Sequence, residues 1–63
     1  MEQEAIVNRV RNEFVEVPGL RLTMAQAMRL WGLEQDECQQ VISALVAASF
    51  LRLNARGQIL RED

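Results

Sequence analysis

Apolar residues recur along the chain with helical spacing in three places and alternate in three others. Ile6, Val10, Phe14 and Val17 lie four, four and three residues apart, one stripe of a helix, and Val7 and Val15 widen it. Asn8, Arg9, Asn12, Glu13 and Glu16 cover the opposite face. Pro18-Gly19 ends the run, because proline disfavours helical geometry in the residue before it and glycine accepts a turn. The pattern predicts a first helix over about residues 3–16.

Leu20-Arg21-Leu22 alternates briefly and predicts a short edge strand that needs a partner later in the chain. Thr23 then has the chemistry of an N-cap, and Gln26 three positions on completes a capping box. A second helix runs from there to about Trp31, with Ala27, Leu30, Trp31 and Met24 facing inward. Gly32 supplies the left-handed residue that a tight turn between helices requires, and Leu33 plugs that turn. Glu34, with Glu37 three residues on, opens a third helix. Its buried stripe is Cys38, Val41, Ile42, Leu45 and Val46, with Gln35, Gln39, Gln40 and Ser43 outside, and it fades through Ala47–Ser49. Residues 50–53 and 58–61 alternate weakly around Asn54-Ala55-Arg56-Gly57, which predicts a β-hairpin. The expected order is helix, strand, helix, helix, strand, strand, in a single domain spanning residues 1–63 that is mainly α with a small hairpin.

Sixty-three residues bury only about 60% of the surface the unfolded chain exposes, so the helices must supply the stability or a dimer must add to it. One cysteine, Cys38, closes no internal disulfide, and the absence of histidine removes a zinc-finger ligand set. No apolar run nears the ~18 residues of a membrane span, and the acidic, polar N-terminus does not read as a signal peptide. A cytoplasmic setting, with no metal and no cofactor, is the expectation. Histidine, lysine, tyrosine and a glycine-rich phosphate loop are all missing, which leaves catalysis without a foothold and predicts a non-enzyme.

The net charge is −2, and it is unevenly spread. Residues 1–19 carry −2, residues 20–61 carry +2, and Glu62 and Asp63 return −2. The segment with the two central helices is therefore mildly basic, although nucleic-acid binders usually show a larger surplus. All seven basic residues are arginine, which a GC-rich coding bias explains as readily as function does.

The pieces Leu22-Thr23-Met24-Ala25-Gln26-Ala27-Met28-Arg29-Leu30-Trp31-Gly32-Leu33 and Ala44-Leu45-Val46-Ala47-Ala48-Ser49-Phe50-Leu51-Arg52 resemble the winged helix-turn-helix family, in particular small bacterial regulator domains. The likeness covers about residues 20–61, with a helix-turn-helix at 23–48 and a wing at 50–61. Met28 stands where the family usually has a small residue, and Ser49 where it commonly has glycine. The resemblance implies that the third helix enters the major groove, and that the start of the second helix and the wing touch phosphates. Groove-facing positions would then be Glu34, Gln35, Asp36, Gln39, Gln40 and Ser43, with the glutamines and Ser43 as base readers. Phosphate-facing candidates would be Arg21, Thr23, Arg29, Arg52 and Arg56, with Arg61 a further wing arginine.

Each candidate has a plainer role. Glutamine forms helix well on any solvated face. Glu34, Asp36 and Glu37 complement the positive end of a helix, yet they also put negative charge where phosphates would lie. Hairpin arginines protect a sheet edge from aggregation. Trp31 and Cys38 read as core. Two functions remain open: a DNA-binding regulator, dimeric by expectation, or a winged helix that docks another protein.

Overall fold

The computed structural model describes residues 2–62. Its elements are α1 (Glu2–Glu16), β1 (Leu22–Thr23), α2 (Met24–Trp31), α3 (Gln35–Ala47), β2 (Leu51–Leu53) and β3 (Gln58–Arg61). The strands form one antiparallel sheet in the order β1-β3-β2. Leu22 pairs with Ile59 and Thr23 with Gln58; Leu51, Arg52 and Leu53 pair with Arg61, Leu60 and Ile59. The architecture is three helices packed with a small three-stranded sheet, in the element order expected.

β1 starts later than the alternation at residues 20–22 predicts. The Leu20 N–H donates to the Val17 carbonyl at 3.1 Å, closing a turn over Pro18-Gly19 and delaying strand pairing. Thr23 pairs with Gln58 and also caps α2: its Oγ1 accepts the Gln26 N–H at 3.2 Å, while Gln26 Oε1 accepts the Thr23 N–H at 2.9 Å. Gly32 closes α2 at φ 66°, ψ 36°. The N–H groups of Gly32 and Leu33 both reach the Met28 carbonyl, satisfying it and fixing the turn.

α3 ends differently. Ser49 adopts φ 61°, the left-handed region, and its N–H donates to Val46 O at 2.9 Å. Phe50 N–H donates to Leu45 O at 3.0 Å. These two bonds make a Schellman motif built on serine rather than glycine. The same turn takes Phe50 out of β2, where the hairpin pattern places it, although the Phe50 carbonyl still accepts the Glu62 N–H.

Val10 and Phe14 of α1, Trp31 of α2, Cys38 and Val41 of α3, and Ile59 of β3 meet in one buried cluster. The Phe14 and Trp31 rings lie 6.1 Å apart, inclined at 53°. Burial pushes the Cys38 thiol above its ordinary pKa, as a core cysteine requires. Four residues assigned to the buried stripes face solvent instead: Val15, Val17, Leu30 and Val46. Val15 lies on the flank of α1, and Val17 sits past its end. Leu30 is on the uncovered side of α2, only eight residues long. Val46 borders the groove described below. No helix among the described residues is long and apolar enough to cross a membrane.

Candidate nucleic-acid interface

α3 buries Cys38, Val41, Ile42 and Leu45, which leaves its remaining faces to solvent. Gln35, Gln39 and Ser43 follow one another at intervals of four and so stand on one exposed ridge. Gln39 and Ser43 border a groove of about 340 Å³ between α3, the start of α2 and β2, whose other walls are Met24, Ile42, Val46, Ala47 and Leu53. The groove is therefore polar on one lip and apolar on its floor. Gln40 is turned away from this ridge toward α1, where its Oε1 accepts from Gln3 Nε2 at 3.4 Å.

The first turn of α3 is acidic and exposed. Glu37 Oε1 accepts the Glu34 N–H at 3.3 Å, so this carboxylate works as a cap. Asp36 and Glu37 face the positive end of the helix dipole. α3 itself carries no basic residue.

The arginines fall into three groups. Arg56 is exposed at the hairpin tip, and Asn54 fixes its backbone: Asn54 Oδ1 accepts the N–H groups of Arg56 and Gln58, each at 2.9 Å, and its Nδ2 donates to Gln58 Oε1 at 3.0 Å. Gly57 follows at φ 76° and donates to the Asn54 carbonyl, the geometry of a type I turn with a glycine bulge. Arg29 is exposed in the last turn of α2, where it complements the dipole. Arg21 and Arg52 lie elsewhere, lining a concavity of about 210 Å³ with Gly19, Leu20, Leu60 and Arg61. Thr23, the remaining phosphate candidate, is half-buried and has its oxygen engaged in capping, leaving only its hydroxyl proton for an outside acceptor.

Arg61 is half-buried, with its guanidinium carbon 5.3 Å from the Phe50 ring centroid, and Arg11 reaches the same ring at 5.4 Å. Arg11 and Phe50 were invisible as partners in the sequence, where they are 39 positions apart. The five phosphate candidates are thus not one surface: Arg56 stands at the hairpin tip, whereas Arg21 and Arg52 share a separate pocket. Among the described residues no group of three or more histidine, cysteine, aspartate or glutamate side chains is placed to hold a metal ion. No protein-family model matches this chain, and neither a curated protein nor a solved structure matches it significantly.

Proposed function

We propose that the chain is a winged helix-turn-helix domain that binds duplex DNA, with α3 in the major groove and the β2–β3 hairpin as the wing. The observation that carries this reading is the uninterrupted polar ridge Gln35–Gln39–Ser43 on the second helix of a glycine-closed helix pair, beside a rigid hairpin tipped by Arg56. Glutamine amide groups suit bidentate readout of adenine. An arginine held by a fixed turn suits a phosphate or a narrow minor groove. The acidic start of α3 opposes phosphate, so the affinity of one protomer is low and salt-sensitive. A dimer doubles the number of recognition helices and arginines on one duplex.

A specific feature favours a second reading, docking of another protein. The floor of the α3 groove is apolar, with Leu53 52% and Val46 38% exposed, and α3 has no basic residue. Titration with random-sequence duplex at about 20 mM and about 150 mM salt separates the two, since screening strengthens sharply over that range. DNA binding requires measurable association at low salt that collapses at high salt. Arg56→Ala should weaken it on every sequence and lower the salt slope by about 0.9 for one lost phosphate contact. Absence of binding at low salt refutes the DNA reading and leaves the groove to a protein.

A further inference from the structure

Arg21 and Arg52 meet on the face of the sheet turned away from the core. Ile59 and Leu51 are buried, so they mark the core face, and the residues between them in register point outward. Arg52 stands opposite Leu60. The register of Leu22 with Ile59 and Thr23 with Gln58, extended by one residue, sets Arg21 on the other side of Leu60. Arg21 from the loop before β1 and Arg52 from β2 therefore flank one apolar side chain, and Arg61 also lines the concavity they share.

We infer that this concavity is an anion pocket that binds a phosphate group through Arg21 and Arg52. The pocket draws three of the seven arginines from three segments into one place in a chain of net charge −2. Among the described residues one carboxylate answers them: Glu62, whose Oε1 is 3.8 Å from Arg52 Nε with both side chains about half exposed. A pair so open contributes little to stability and yields readily to a stronger acceptor. Arg61 pairs with the buried Leu51 and stacks its guanidinium on Phe50, so the charge of the concavity comes from Arg21 and Arg52. Leu20 and Leu60 form an apolar floor, which strengthens charge interactions above it. Two guanidinium forks on either side of one cavity offer more donors than the two oxygens of a carboxylate can bridge, whereas a phosphate offers three or four oxygens.

The phosphate has two sources, a nucleic-acid backbone or a small phosphorylated molecule, and the chemistry recognised is the same. Amide NMR titrations of the whole chain with pyrophosphate and, separately, with a random duplex distinguish them. Saturating shifts at Arg21, Arg52 and Leu60 with pyrophosphate are required. Arg21→Ala with Arg52→Ala should weaken that binding about tenfold or more, at an unchanged melting temperature. Glu62→Gln should tighten it severalfold by removing the competing carboxylate. Shifts there with DNA as well assign the pocket to the backbone; shifts with pyrophosphate alone assign it to a small ligand. No saturable response to pyrophosphate, or equal binding by the double variant, overturns the pocket. The outcome is separable from the DNA reading: duplex shifts confined to α3 and Arg56 leave that reading intact without the pocket, and a pyrophosphate response without duplex binding does the reverse.

Discussion

Ser49→Gly should make this domain more stable, and the structure fixes the size of the effect. Ser49 holds φ 61° because the Schellman bonds from Ser49 and Phe50 require it. For an L-residue with a side chain this conformation costs roughly 1–2 kcal/mol, from Cβ against the following carbonyl. Glycine removes that cost but gives back about 0.5–1 kcal/mol in unfolded-chain entropy. Among the described residues the Ser49 hydroxyl has no side-chain hydrogen-bond partner to offset the exchange. The net gain is about 0.5–1 kcal/mol, or roughly 2–8 °C in melting temperature for a domain of this length. Thermal and urea unfolding by far-UV circular dichroism reads it directly, with Ser49→Ala as the control that keeps Cβ and gains nothing. Gly32→Ala is the same perturbation in reverse: φ is 66° and an added Cβ would meet nothing within 4 Å, so its cost is conformational alone, a strain of about 1–2 kcal/mol less about 0.5–1 kcal/mol of unfolded-chain entropy, a net loss of about 0.5–1 kcal/mol. If Ser49→Gly is neutral or destabilising while Gly32→Ala is tolerated, the left-handed helix ends do not carry the strain assigned to them.

Asn54→Ala removes three side-chain hydrogen bonds from the hairpin turn and should lower stability by about 1–2 kcal/mol, read by urea midpoint. Phe14→Ala empties the centre of the core at a cost of about 3–5 kcal/mol, against a total of roughly 3–9 kcal/mol for a chain this size; circular dichroism should show a large unfolded fraction. Because burial raises the Cys38 pKa, the native state keeps a proton that the unfolded state loses above about pH 8.5. The contribution is full below that value and declines as pH rises toward the folded pKa, so the urea midpoint should fall as pH rises above about 8.5, with a smaller fall in Cys38→Ala. Alkylation of Cys38 at neutral pH should likewise proceed only through unfolding and slow as urea is withdrawn.

Most local structure was legible because single residues carry it. Thr23 with Gln26, Gly32, and the Asn54–Gly57 turn each have a chemistry that only one conformation uses well, and each occurs as expected. Periodicity located the stripes but not their edges. Val15, Leu30 and Val46 occupy plausible inward positions, yet burial depends on whether a neighbouring element extends far enough to cover them. The candidate site was legible only as a list. Gln35, Gln39 and Ser43 share a ridge by spacing alone, but Gln40 turns to α1 because Gln3 happens to reach it. The separation of Arg21 and Arg52 from Arg56 follows from sheet register, and register between distant strands leaves no mark in a local window. Pairing Leu60 with Arg52 is the one step by which the hairpin pattern could have found that pocket.

Thr23 belongs to two elements at once, a rung of the sheet with Gln58 and the cap of α2. No free linker separates the sheet from the helix pair. Fraying β1 away from β3 would also uncap α2, and melting the first turn of α2 would release the strand. Sheet and helix pair therefore form a single cooperative unit, whose orientation is set by one shared residue and not by a hinge. Amide exchange at Ile59 and at the middle of α2 should report one common opening, and a ligand that grips the hairpin acts on α3 without any loop having to reorder.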